Sequence, residues 1–373
     1  MALYRYNQGK GKTAYTELKL RRSISKDMKI LFDMNNLAMR TLHLPMIEAT
    51  TSPKWNFWKY LIFSNIYDYV VTEGEFKNPE DDIEVILAYD TKEEYWRASI
   101  YPPYKGNRKK DTSIDWTEVF ENYNSFLLSL ANYTPFTVLG IPGTEADDII
   151  ATICLNKQNP DEEYLIYSGD CDYLQLEDET TSIYMPQKDG YVTFPCEVRI
   201  AGTKVVCEDV ETFKKLSVLT GQGCKDNVYN VKTPTDWDSE DGKKRKPGFG
   251  VKAALKAMQA EEGIESYLEK LGSEVPKNYE RNKKLIDFKH IPSEIQEDIL
   301  SQHQEYQKST FEPVMLFSKY NWQSYLSQAD DMKSAIDGLY GFEHTSYIED
   351  EAEEPGEYLD VADDEEDIES FVI

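Results

Sequence analysis

Three short apolar runs in this chain each deliver an aspartate, and that pattern restricts the fold more than any other feature. Residues 29–33 read Lys-Ile-Leu-Phe-Asp, residues 83–90 read Ile-Glu-Val-Ile-Leu-Ala-Tyr-Asp, and residues 164–170 read Tyr-Leu-Ile-Tyr-Ser-Gly-Asp. Near-continuous apolar runs of this length fit strands buried on both faces, as in a mostly parallel sheet flanked by helices. In open α/β sheets ligands bind in the crevice beyond the carboxyl ends of the strands. Asp33, Asp90 and Asp170 are expected at that crevice.

More acids gather at the same place. Glu145, Asp147 and Asp148 open an amphipathic helix pattern, and Asp172 follows Asp170 by two residues. Carboxylates at this density repel one another, and a hard divalent cation with oxygen ligands is the usual way to keep them together and ionised. Magnesium chemistry is therefore expected. The five cysteines (Cys154, Cys171, Cys196, Cys207, Cys224) form no Cys-x-x-Cys pair, and the four histidines show no ligand spacing. They read as reduced thiols and structural imidazoles, not zinc ligands.

The net charge of −27 argues at first against a nucleic-acid partner, but it is unevenly spread. Residues 1–28 carry +5 and read as a basic N-terminal arm, whereas residues 349–373 carry −13 and form an acidic low-complexity tail that composition predicts to be disordered when free. The apolar content of 40% supports a sizeable core; no run approaches eighteen apolar residues, so no membrane span is expected, and residues 1–12 lack the apolar centre of a secretory signal.

Between these ends the pattern alternates. Residues 54–71 place Trp55, Trp58, Ile62, Ile66 and Tyr69 at helical steps, a packing stripe. Residues 95–110 carry five basic side chains, no acids and four aromatics, broken by Pro102, Pro103 and Gly106. Arg97, Lys105, Arg108, Lys109 and Lys110 beside aromatic rings suit a mobile segment that neutralises phosphates and stacks on unpaired bases. Residues 116–133 return as a helix and residues 136–139 as a strand. Short strands are expected around Asp189 and Gly190, and a helix over 208–219. Gly248 and Gly250, with Phe249 between them, are placed to turn onto a helix N-terminus whose free N–H groups, with Lys252 beside them, would grip one phosphate. Residues 258–326 read as helices. The expected organisation is an arm (1–28), an α/β domain (29–205) whose segment 92–112 arches over the acids, a mainly helical domain (206–345), and the tail (346–373).

Together these residues resemble the structure-specific 5′ nuclease (flap endonuclease) family, in its bacteriophage ribonuclease H and 5′-3′ exonuclease branch. The likeness rests on Asp33 after Ile30-Leu31-Phe32, Asp90 followed by Tyr95-Trp96-Arg97, Glu145-Ala146-Asp147-Asp148, Ser168-Gly169-Asp170-Cys171-Asp172, and Lys225-Asp226-Asn227-Val228, in collinear order over residues 28–310. The resemblance implies a PIN-like 5′-nuclease fold with a helix-hairpin duplex-binding element around residues 248–254. It implies that Asp33, Asp90, Glu145, Asp147, Asp148, Asp170, Asp172 and Asp226 hold two Mg2+ ions, for which Mn2+ can substitute, and that Arg97 and Lys105 meet the scissile phosphate. The family pattern has a further aspartate three residues before Asp226, where this chain has Gly223, so the second ion's site is expected to be weakened.

The activity implied is hydrolysis of phosphodiester bonds in RNA primers or DNA flaps on duplex DNA during phage replication. Implied partners are duplex DNA with a 5′ flap, fork or RNA primer, a single-stranded-DNA-binding protein and a sliding clamp. The expected state is a monomer in the cytoplasm of an infected bacterial host. Two rivals stay open: a PIN-type ribonuclease on single-stranded RNA, which would need the acids but no duplex, and a non-catalytic module that binds forked DNA.

Overall fold

The register of the sheet explains why its strands are apolar throughout. In the computed structural model, which describes residues 27–74, 82–108, 111–223, 225–234 and 248–341, β1 (Met28–Asp33) lies inside a six-stranded sheet. β2 (Ile83–Ala88) pairs along one edge of β1 and β4 (Glu163–Tyr167) along the other. β3 (Thr137–Leu139) lies outside β2, with β5 (Thr181–Met185) and β6 (Gly190–Val192) outside β4; only β5 with β6 is antiparallel. The chain builds outward from β1 through β2 and β3, then returns to build the other half. The strand order therefore reverses beside β1, between β1 and β4.

Alternate side chains of the strands feed two cores. Leu31, Ile86 and Ile166 point into one, with Ile149, Ile150 and Ile153 of α5 (Ala146–Leu155) and with the helices after residue 209. Ile30, Phe32, Val85, Leu87 and Leu165 point into the other, against α1 (Met34–Leu42), α2 (Lys54–Gly74) and α4 (Trp116–Tyr133). Both faces being covered removes any polar alternation from the strands. The stripe expected on α2 faces this second core: Trp58, Ile62, Ile66 and Tyr69 are buried, and Trp55 is half-buried. Asp115 starts α4 by accepting hydrogen bonds from the Thr117 and Glu118 amides at 3.0 and 3.1 Å, a cap that contributes about 1 kcal/mol.

A two-stranded hairpin, β7 (Cys196–Ile200) and β8 (Thr203–Cys207), follows the main sheet. Then come α6 (Val210–Thr220), α7 (Val251–Met258), α8 (Glu274–Ile286) and α9 (Ser293–Glu305). Past Phe311 the chain leaves these helices. α10 (Pro313–Lys319) and α11 (Ala329–Leu339) pack on α4 and α2, where Phe63, Phe317, Trp322 and Tyr325 form an aromatic knot. All described residues fall within one compact unit, and no described helix is long and apolar enough to cross a membrane. The expected basic arm (apart from Asp27 and Met28), Lys109, Lys110, the basic run 243–246 and the acidic tail lie outside the described residues.

Candidate active site

The three strand-borne aspartates meet at the reversal of strand order. Asp33, the last residue of β1, caps α1 by accepting from the Asn36 amide at 2.9 Å. Its other oxygen accepts from the Tyr173 hydroxyl at 3.1 Å and the Ser168 hydroxyl at 3.3 Å. Burial, with Asp90, Asp170 and Asp147 nearby, pushes the Asp33 carboxyl up to about 7. Asp90 accepts from the Ala146 amide, at the start of α5, at 2.8 Å and from the Tyr95 hydroxyl at 3.3 Å; burial pushes its carboxyl up as well.

Glu145, Asp147 and Asp148 stand at the N-terminus of α5, where unsatisfied N–H groups favour negative charge. Asp148 is fully buried and accepts from the Glu145 amide at 3.0 Å, the Trp96 indole at 3.0 Å and the Arg97 guanidinium at 2.9 Å. Glu145 accepts from Arg97 at 2.9 Å and from the Tyr104 hydroxyl at 2.8 Å, and pairs with the Lys105 ammonium. Asp147 is the least engaged. Its Oδ1 is buried, lies 4.0 Å from Arg97 Nη1 and has no hydrogen-bond partner.

Asp170 and Asp172 enter from the other side of β1. The Asp172 amide donates to Asp170 at 3.0 Å, and the Lys225 ammonium sits between the two carboxylates, 2.5 Å from Asp172. The Gln222 amide donates to the second oxygen of Asp172 at 2.7 Å. Asp226 is buried and accepts from the Arg108 guanidinium at 2.8 Å. A glycine is required at 221, which holds φ +67 with the Val228 carbonyl 2.4 Å from where a Cβ would stand, while a Cβ on Gly169 would crowd Gln187 Oε1 at 2.9 Å and Asn36 Oδ1 at 3.1 Å.

The donor set suits a hard divalent ion. The oxygens of Glu145, Asp147 and Asp148 lie within 4.8 Å of one another, and the orphaned Asp147 oxygen is buried among them. An unsatisfied buried carboxylate oxygen is costly without a cation. Eight carboxylates face four basic side chains, Arg97, Lys105, Arg108 and Lys225, which leaves an excess of negative charge for cations to neutralise.

Several expected residues sit differently. Arg97, expected at a phosphate, is 2% exposed; its guanidinium is spent on Glu145, Asp148 and the Leu285 carbonyl, because two buried acids need a fixed countercharge. The segment after Asp90 is stitched down, not loose. α3 (Trp96–Ile100) opens it, Lys105 takes φ 55 and donates its amide to the Asp226 carbonyl at 2.9 Å, Asn107 donates to the Gly223 carbonyl, and the Pro103 carbonyl accepts from Asn227. Lys105 does reach the acids, through Glu145. Beside Gly223 it is Gln222 whose side chain meets Asp172. Gly250 precedes α7 as expected and Lys252 is exposed, but neither Gly248 nor Gly250 has positive φ, and a Cβ at either would meet nothing within 4 Å. Their backbone is simply open to an approaching ligand.

Sequence reasoning missed Asn35 and Asn36. Asn35 Oδ1 accepts from the Asp90 amide at 3.0 Å and the Tyr123 hydroxyl at 2.9 Å, while Asn36 Oδ1 accepts from the Gly169 amide at 3.0 Å. Two adjacent amides thus tie the ends of β2 and β4 to β1. Their position directly after the first strand-ending aspartate was the available signal.

A parallel sheet with an acid-lined crevice at its reversal point, hard oxygen donors and basic side chains over them defines the class of nucleases with a resolvase-like core. Residues 28–206 match the family model described as 5′-3′ exonuclease, N-terminal resolvase-like domain, and residues 209–329 match the T4 RNase H C-terminal model. The chain belongs with the 5′-3′ exonucleases and T4-type ribonuclease H that these two models describe, nucleases that hydrolyse phosphodiester bonds. It is 28% identical over 228 residues to the ribonuclease H of enterobacteria phage T4, covering 60% of this chain and 70% of that protein. It is 27% identical over 164 residues to DNA polymerase I of Mycobacterium bovis, covering 44% of this chain and 17% of the polymerase. A phage T5 protein co-crystallised with metal ions shares the fold, with a TM-score of 0.51 and 17% identity over 75% of this chain and 99% of that one.

Proposed function

We propose that this chain is a magnesium-dependent 5′ nuclease that cleaves a strand near its 5′ end on duplex DNA bearing a flap, fork or RNA primer, in phage replication within the bacterial cytoplasm. The observation that carries the reading is the convergence of Glu145, Asp147 and Asp148 beneath Lys105, beside the strand-borne Asp33, Asp90 and Asp170. A divalent ion bound there would supply an activated water and stabilise charge on the leaving oxygen. Glu145 and Asp147 would hold it, with Asp148 fixed behind them by Trp96 and Arg97. Asp33 and Asp90 would orient water, since each already has one oxygen committed to a backbone amide. The Lys105 ammonium, released from Glu145 by the ion, would meet the phosphate. The open backbone before α7 would grip a phosphate of the duplex without reading sequence. A single-stranded-DNA-binding protein and a sliding clamp are the partners this role would require.

Matched 5′-flap, nicked-duplex and RNA-primed substrates in a magnesium titration test the proposal. Cleavage of all three should need the duplex and the ion, and Mn2+ should substitute. Asp147→Asn and Asp170→Asn should each lower kcat by a hundredfold or more while leaving duplex affinity measurable. Equal cleavage of single-stranded RNA would favour the ribonuclease reading, and binding without any cleavage would favour the fork-binding module.

A further inference from the structure

We propose that Lys225 is a built-in counter-ion for the half of the site formed by Asp170, Asp172 and Asp226, so that the protein free of nucleic acid holds one divalent ion tightly and a second only weakly. This rests on the reading of the site as a divalent-metal centre. Among the described residues, the acid group whose oxygens all lie within 4.8 Å of one another is Glu145, Asp147 and Asp148; Asp170, Asp172 and Asp226 do not form a second. Each of those three is engaged by a donor of the chain itself, as Glu145 and Asp148 are, but none of them leaves a buried oxygen orphaned as Asp147 does in the first group. Lys225 bridges Asp170 and Asp172, the Gln222 amide takes the remaining Asp172 oxygen at 2.7 Å, and Arg108 takes Asp226 at 2.8 Å.

The ammonium is delivered by a held loop. Gly221 turns back at φ +67, Gln222 bridges to Val228, the Lys225 amide donates to the Gln222 carbonyl at 3.1 Å, and the Lys225 carbonyl accepts from Arg108 at 3.0 Å. An ion that requires oxygens at about 2.1 Å cannot share the Asp172 oxygen with an ammonium 2.5 Å away, so Lys225 must leave first. Gln222 deepens the effect. A neutral amide donating to Asp172 neither repels the ammonium nor offers the charged ligand that a carboxylate in its place would. The Lys225 side chain is 40% exposed, so it has room to swing outward, and a backbone phosphate is the group that would draw it there.

Mn2+ binding to the full-length protein without nucleic acid, counted by isothermal titration calorimetry, tests this. Wild type should take up one ion tightly and a second at least tenfold more weakly. Lys225→Ala and Gln222→Asp should each tighten the second ion at least tenfold and leave the first within about twofold. Thermal melts confirm that each variant folds, and Lys225→Met, which removes the charge but keeps most of the side-chain length, decides if Lys225→Ala does not fold. Two ions of equal affinity in wild type, or a weak second ion unmoved by a folded variant, would overturn the proposal. Flap cleavage is measured separately: binding as expected without cleavage would remove the nuclease reading and leave the counter-ion standing, and the converse would do the opposite.

Discussion

At the scale of single residues, the site depends on groups that never carry charge. Asn35 satisfies both the Asp90 amide and the buried Tyr123 hydroxyl. Truncating it leaves two donors without a partner, at about 1–3 kcal/mol each. Asn35→Ala should therefore lower the urea midpoint measurably and reduce kcat more than the stability loss explains, because Asp90 loses its fixed position. The acids themselves were legible in the sequence, since an aspartate at the end of an apolar run has few purely structural reasons to be there. Their partners were not. Asn35 follows the first strand-ending aspartate closely, but nothing local shows which groups it serves, and the donors it accepts from lie 55 and 88 residues away.

At the scale of elements, the sheet is pinned at the end opposite the site. Glu84, near the start of β2, lies 3.2 Å from His303 on α9, 3.0 Å from Lys308 and 3.3 Å from Lys29 of β1, and accepts from Thr137 of β3 at 3.0 Å. Burial alone would push its carboxyl up; His303, Lys308 and Lys29 outweigh that and hold it well below the usual range. A depressed carboxyl stabilises the fold above the unfolded-chain value of about 4.3 and loses that contribution as pH falls below it. Glu84→Gln should lower stability at pH 7 by about 1–3 kcal/mol. The gap between wild-type and variant urea midpoints should narrow between pH 5 and pH 3, on the order of the window the depressed pKa sets. A gap independent of pH would show that packing, not charge, is lost. The elements themselves were mostly readable: the expected 116–133 helix and the strands expected at 29–33 and 83–89 form within a residue or two, as Trp116–Tyr133, Met28–Asp33 and Ile83–Ala88. The β7–β8 hairpin was missed because its strands are short and half-exposed, so their apolar content stays below a strand signal.

At the scale of the whole molecule, Arg97 couples the halves of the chain. Its Nε donates to the Leu285 carbonyl at the end of α8, while its two amino groups hold Glu145 and Asp148 at the start of α5. Arg97→Met leaves two buried carboxylates facing one another and should cost about 3–5 kcal/mol. Saturating Mn2+ should return more stability to this variant than to wild type, since an ion would replace the missing charge; calorimetric melts with and without the metal measure it. α10 and α11 close the other side by returning to α2 and α4.

The sequence by itself determined the sheet, its covered faces, and the gathering of acids at its carboxyl edge, because burial and strand periodicity are written in neighbouring residues. The tertiary structure alone decided which donors answer those acids. Arg97 lies inside and not on the surface, Gln222 and not Gly223 meets Asp172, and Lys225 sits between two aspartates. A charged side chain is long, flexible and indifferent to local pattern, so its partner is fixed only when distant segments close around it.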